Sequence, residues 1–213
     1  AGDVNGDGYA DILIGVPYAD PGGSGSGETY VVFGKSESFG ASVDLSALDG
    51  SDGFLLEGID ATDYSGYSVS EAGDVNGDGY GDILIGAYGG ANSGETYVVF
   101  GKGSGFDASV DLDSLDGSDG FVLSGVDATD QSGASVSTAG DVNGDGYADI
   151  LIGAPGADSQ TGETYVVFGN GGGFGSSVDL GSLGVNDGFI LEGIDTGDFS
   201  GTSVSEAGDV NGD

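Results

Sequence analysis

The chain has no cysteine, histidine, arginine, methionine or tryptophan, and only three prolines in 213 residues. Without cysteine there is no disulfide and no thiolate metal site. Without histidine as well, Ser-His and Cys-His nucleophilic machinery is excluded, and so are imidazole-bound zinc sites. Positive charge is nearly absent: Lys35 and Lys102 stand against 37 acids, for a net charge of −35. A surface so short of cations has almost nothing to neutralise phosphate, which excludes nucleic acid and anionic membrane surfaces as partners. No apolar run approaches the ~20 residues of a membrane helix, so membrane insertion is not expected. No signal peptide is visible either, and targeting information is expected to lie elsewhere.

Glycine is abundant instead, at 48 residues, but without the every-third-residue period of collagen. Apolar residues come in blocks such as ILIG and YVVFG, as a packed β core requires. One stretch organises the rest: Asp3-Val-Asn-Gly-Asp-Gly-Tyr-Ala-Asp11, followed by Ile12-Leu-Ile-Gly15. It returns from Asp74 and from Asp141, and a fourth copy from Asp209 runs to Asp213, the last residue. Side-chain oxygens stand at its first, third, fifth and ninth places, with glycine after the third and after the fifth. A short loop wraps its oxygens around a hard divalent cation in this way, and Gly6 and Gly8 permit turns that a Cβ would obstruct.

Motif starts are 71, 67 and 68 residues apart. All the length variation falls between Gly15, Gly86 or Gly153 and the following Glu28, Glu95 or Glu163. A segment that tolerates insertion between fixed flanks is a surface loop. Each repeat reads as four strands. The first is Ser-Val-Ser before the loop (Tyr67 to Glu71, Ala134 to Thr138, Thr202 to Glu206). The second is Asp-Ile-Leu-Ile-Gly, and the third is Glu-Thr-Tyr-Val-Val-Phe-Gly at 28–34, 95–101 and 163–169. The fourth is the Gly-Phe-Leu-Leu-Glu-Gly type at 53–58, 120–125 and 188–193. Between third and fourth, Leu45, Leu48, Leu112, Leu115, Leu180 and Leu183 are placed to anchor a short turn. Helical period is absent. Four short antiparallel strands with a loop joining the first two describe an all-β propeller blade.

The run SGYSVSEAGDVNGDGYGDILIGAYGGANSGETYVVFG at 65–101 resembles the FG-GAP repeat of integrin α-subunit propellers and of many bacterial secreted proteins. Its name-giving pairs are Phe33-Gly34, Phe100-Gly101 and Phe168-Gly169, with Gly153-Ala-Pro155; two copies depart from the second signature as Gly15-Val-Pro17 and Gly86-Ala-Tyr88. The resemblance implies about one Ca²⁺ per complete loop. Its ligands would be the side chains of Asp3, Asn5, Asp7 and Asp11 with the Tyr9 carbonyl, then Asp74, Asn76, Asp78, Asp82 and Tyr80, then Asp141, Asn143, Asp145, Asp149 and Tyr147. Asp209, Asn211 and Asp213 hold three positions of a half loop. Magnesium suits the set less, since it keeps several waters. An EF-hand or dockerin would need an acid at the twelfth place, where Ile14, Ile85 and Ile152 stand. Three ions would move the net charge only from −35 to −29, so they would relieve local crowding.

Further acids recur at Asp60 and Asp63, Asp127 and Asp130, Asp195 and Asp198, and at Asp52, Asp119 and Asp187. They suit either a second cation site or Asx turn caps. No acid pair stands out as a catalytic one-off, and the one-offs Tyr18, Lys35, Tyr67, Lys102, Gln160 and Phe199 form no evident constellation. No catalytic residue and no enzyme activity are expected. The expected division is a first blade at 1–62 lacking its first strand, blades at 63–130 and 131–198, and the opening of a next blade at 199–213. Ring or filament assembly by lending that last strand to a neighbour, or membership of a longer blade array, would complete the architecture. The functional expectation is a calcium-stabilised extracellular or cell-surface module, structural or adhesive and not enzymatic, in which calcium is available to fill modest sites. The alternatives are a carbohydrate- or protein-binding propeller using loops 16–27, 87–94 and 154–162, or an accessory domain of a larger secreted enzyme.

Overall fold

A computed structural model describes residues 1–103 and 105–206. Its strands, in chain order, are β1 (Ile12–Val16), β2 (Glu28–Val32), β3 (Gly53–Glu57), β4 (Ser68–Gly73), β5 (Asp82–Ala87), β6 (Glu95–Val99), β7 (Ser109–Asp111), β8 (Gly120–Ser124), β9 (Ser135–Gly140), β10 (Asp149–Ala154), β11 (Glu163–Val167), β12 (Ser177–Asp179) and β13 (Gly188–Glu192). They form three sheets, in the orders β1-β2-β3-β7, β4-β5-β6-β8-β12 and β9-β10-β11-β13. The architecture is all-β, a set of propeller blades, as the strand pattern predicts.

The middle blade shows why these residues make these strands. β5 pairs antiparallel with β4 on one side and with β6 on the other, Leu84 lying opposite Ser70 and Val98. Successive side chains point to opposite faces of a strand. Ile83 and Ile85 therefore pack toward the first blade, in a core with Val31, Phe54 and Leu56, while Leu84 packs toward the third with Ile150, Ile152 and Phe121. A strand covered on both faces needs an unbroken apolar run, and Ile-Leu-Ile supplies it. β1 has the same sequence but no first-strand neighbour, and Ile12 is 49% exposed where Ile83 and Ile150 are fully buried.

Two expectations need correction. The Ser-Val-Asp stretches ahead of Leu112 and Leu180 are strands as well as turn leaders: β7 and β12 each run parallel to the outermost strand of the preceding blade. A three-residue strand is too short to show a period, and its partner belongs to another repeat. The following 3₁₀ turns are capped by Asp111 and Asp179, and Leu112 and Leu180 are buried as anchors. Ser42-Val-Asp44 leads the same kind of turn but, among the described residues, pairs with no strand. The run at 202–206 is not a strand among the described residues; it lies beside β9, with the Val204 and Glu206 N–H groups donating to Ser135 and Ser137 hydroxyls.

Candidate metal centre

The loop is shaped first by its own side chains. In the first copy both Asp3 oxygens accept backbone N–H groups, Oδ1 from Asp7 at 3.0 Å and Oδ2 from Gly8 at 2.8 Å. Asn5 Oδ1 also accepts from Asp7 N–H, and Asp7 Oδ1 from Tyr9 N–H. The second and third copies repeat this around Asp74, Asn76 and Asp78 and around Asp141, Asn143 and Asp145. Short Asp and Asn side chains that reach their own backbone two to five residues on are turn formers. The first, third and fifth positions thus gather on one side of a tight, exposed loop.

The ninth position behaves differently. Asp82 is fully buried, with Oδ2 accepting Val75 N–H and Oδ1 accepting Gly101 N–H, each at 2.9 Å. Asp11 clamps Val4 and Gly34, and Asp149 clamps Val142 and Gly169, in the same way. These N–H groups favour the charged form, but loss of hydration outweighs them. Burial, with the Asp78 and Asp74 charges adding to it, pushes Asp82 up to about 7. Burial likewise raises Asp11 and Asp149, again with the two exposed acids of their own loops contributing.

Among the described residues no three acids stand close enough to hold a metal ion together as they are placed. The donor chemistry nonetheless fits a hard divalent cation. Each loop offers three carboxylates, one amide and a carbonyl with no nitrogen or sulfur donor, and the buried acid feels the repulsion of its two neighbours. Asp3, Asn5, Asp7 and Asp11, with the Tyr9 carbonyl, and their counterparts are the residues that would hold it. Asp209, Asn211 and Asp213 lie outside the described residues.

The loop also joins blades. Asp3 and Val4 carbonyls accept N–H groups of Gly81 and Lys102 in the next blade, both at 2.9 Å; Asp74 and Val75 carbonyls accept from Ala148 and Asn170 at 3.0 and 2.9 Å. Val4 and Val75 are fully buried in these joints, whereas Val142 of the third loop is 52% exposed. Of the other recurring acids, Asp63 and Asp130 accept the N–H groups of Asp60 and Asp127, and Asp187 accepts that of Gly184; these are turn caps.

The FG-GAP repeat pattern matches residues 1–32, 65–99 and 132–167. The three blades are FG-GAP repeats. Their two signature glycines have one cause each. The Gly101 N–H meets the buried loop Asp82, and a Cβ there would run into the Gly81 carbonyl; a Cβ on Gly86 would run into the Gly133 carbonyl. The chain is 32% identical over 169 residues to bovine phosphatidylinositol-glycan-specific phospholipase D, covering 75% of this chain and 19% of that protein. It is 30% identical over 161 residues to integrin alpha-PS5 of Drosophila melanogaster, covering 75% and 15%, and 32% identical over 163 residues to chicken integrin alpha-V, covering 74% and 14%. It therefore spans less than a fifth of each of these relatives.

One constellation escapes a reading by repeats. β5 leaves the metal loop at Asp82 and delivers Tyr88 to the opposite end of the blade. There Tyr88 stacks on Tyr64 at 5.2 Å, Tyr67 meets it edge-on at 4.6 Å, and Tyr18 meets Tyr64 at 5.7 Å. The one-offs Tyr18 and Tyr67 thus do form a cluster, and Phe199 lines an adjoining groove with Tyr67, Gln131 and Pro155. Position in the FG-GAP repeat does not reveal it, because the four tyrosines come from four different places in their repeats.

Proposed function

We propose that the chain is a calcium-stabilised, extracellular or cell-surface propeller segment with a structural or adhesive role and no catalysis. The observation that carries this reading is the repeated loop, in which one buried acid feels the charge of two exposed ones, and whose carbonyls in the first two copies also staple the next blade. A bound Ca²⁺ supplies positive charge where the loop has none. The chain's own residues then do the rest: Asp82 holds the loop to Gly101, and Asp74 and Val75 hold it to the third blade. Relatives that include integrin alpha chains agree with an extracellular setting, and among the described residues no helix is long and apolar enough to cross a membrane. The non-catalytic part of the reading is supported by the hold of backbone N–H groups on buried Asp82 and by a sequence without histidine or cysteine. Calcium titration by calorimetry tests the reading. About one ion per complete loop is expected, with one site lost in Asp74→Ala; no calcium uptake at millimolar concentration would overturn it.

The tyrosine cluster favours a second reading, a carbohydrate- or protein-binding face. Tyr18 is 71% exposed, and the rings lie on the variable-loop end where insertions are tolerated. Aromatic faces combined with phenol hydroxyls suit sugars and peptides alike. Glycan-array binding that is lost in Tyr18→Ala and Tyr67→Ala supports this reading, and binding that survives both substitutions excludes the cluster.

A further inference from the structure

Asparagine followed by glycine is the pair most prone to lose its side-chain amide. The glycine has no Cβ to shield its backbone nitrogen, and that nitrogen can close a five-membered ring on the asparagine Cγ. Among the described residues the chain has four such pairs: Asn5-Gly6, Asn76-Gly77, Asn143-Gly144 and Asn170-Gly171. By sequence the four are alike; their hydrogen bonds are not.

Each asparagine Oδ1 accepts the N–H two residues on, from Asp7 at 3.0 Å, Asp78 at 2.9 Å, Asp145 at 2.8 Å and Gly172 at 3.1 Å. These bonds draw electron density from the carbon that ring closure attacks. The difference lies at the attacking nitrogen. The Gly77 N–H donates to Asp74 Oδ1 at 2.7 Å, and the Gly144 N–H to Asp141 Oδ1 at 2.8 Å. In the first loop Asp3 holds the Asp7 and Gly8 N–H groups instead. Asn170 stands in a glycine-rich stretch with no neighbouring acid in sequence. A carboxylate on the attacking N–H is placed to take its proton as the bond to carbon forms. The Asn76 Nδ2, the leaving nitrogen, donates to Asp78 Oδ2 at 2.9 Å.

We propose that Asn76 and Asn143 are modification sites, at which the loop itself promotes loss of ammonia, and that Asn5 and Asn170 react more slowly. The Gly77 nitrogen attacks Asn76 Cγ, and its proton passes through Asp74 to the departing amide nitrogen. The Cγ–Nδ2 bond breaks and ammonia leaves. The succinimide so formed takes up water and opens to aspartate or to isoaspartate. Aspartate adds a fourth carboxylate to a loop that already has three. Isoaspartate lengthens the backbone between Asp74 and Asp78, so the Asp78 and Gly79 N–H groups, which Asp74 holds at 3.1 and 2.9 Å, lose their register. Either product loosens the turn whose carbonyls staple the third blade. The ranking of sites rests on the loop's own hydrogen bonds. Protection by calcium, which would compete for the Asp74 and Asn76 oxygens, rests on the calcium reading.

The chain is incubated at neutral pH, below its melting transition, in EGTA and in millimolar Ca²⁺. After digestion, mass spectrometry follows each of the four peptides, and enzymatic methylation counts isoaspartate. In EGTA, Asn76 and Asn143 are expected to deamidate faster than Asn5 and Asn170, and the order is expected to vanish in urea. Asp74→Asn keeps an acceptor for the Gly77 N–H but takes no proton. It is expected to slow Asn76 by at least about tenfold, a fraction of what a well-placed general base contributes, while Asn143 and Asn170 keep their rates. Asp141→Asn makes the same test at Asn143, and unchanged circular dichroism with unchanged rates at the other sites separates a lost base from a lost fold. Equal rates at the four pairs in EGTA, an order that persists in urea, or undiminished loss at Asn76 in Asp74→Asn would overturn the proposal. Calcium is expected to slow Asn76 and Asn143 and to spare Asn170. The predicted order without any slowing by calcium would support these sites and overturn the calcium reading.

Discussion

The Asp82 carboxylate accepts the Gly101 N–H at 2.9 Å, and so ties the last position of the metal loop to the glycine that closes the third strand of its blade. The same carboxylate holds Val75 N–H. The Asp-rich loop and the Phe-Gly pair, which look like two motifs in sequence, are the two ends of one clamp. The pattern recurs at Asp11 with Gly34 and at Asp149 with Gly169.

Removal of that clamp leaves two buried N–H groups without an acceptor. Asp82→Ala is expected to cost about 3 kcal/mol or more, because hydrogen bonds to a charged acceptor contribute about 1.5–3 kcal/mol each. Asp82→Asn keeps one oxygen and is expected to cost less. Urea unfolding in calcium and in EGTA measures both.

Gly86→Ala would drive a Cβ into the Gly133 carbonyl, a backbone atom that cannot swing away. A loss of about 1–3 kcal/mol or more is expected, as overpacking of a fitted interior typically costs. A melting temperature within a degree of the parent would contradict the close approach.

Phe174→Ala removes a ring stacked on buried Phe121 and is expected to cost about 2 kcal/mol. Phe39→Ala, at the corresponding place in the first repeat, is expected to change the isolated monomer by less than about 0.5 kcal/mol. Chemical denaturation of the two variants at low protein concentration makes the comparison.

Acid has a predictable sign at Asp63. Burial raises it from an ordinary 3.8 to about 6, with the Glu95 and Asp60 charges adding to the effect. Between those values the folded chain holds more protons than the unfolded one, so this group's contribution to stability falls as pH rises from about 4 to 6. Asp63→Asn keeps an acceptor for Asp60 N–H and removes the ionisation. The stability difference between Asp63→Asn and the parent is expected to grow across that window and to level off above it.

Much of the fold is legible because its strands announce themselves locally. Ile83-Leu-Ile85 is apolar without a break because both of its faces are covered, and Glu-Thr-Tyr-Val-Val repeats with little change. The metal-loop positions are legible because Asp, Asn and Gly alternate at fixed places. β7 and β12 are not, since three residues carry no period and each pairs with a strand of another repeat. The tyrosine cluster is hidden for a related reason: Tyr18, Tyr64, Tyr67 and Tyr88 converge only when two blades pack. The double duty of Asp82 is hidden too, because sequence spacing marks it as one ligand among equals and burial sets it apart.

We propose that the loops hold the blades through calcium. The most direct test is thermal unfolding of the intact chain, followed by far-ultraviolet circular dichroism, in millimolar Ca²⁺ and in EGTA. A ligand bound only by the folded state raises stability with its concentration, so the melting temperature is expected to fall on chelation and to recover when calcium is restored. An identical melting temperature in the two conditions would contradict the claim.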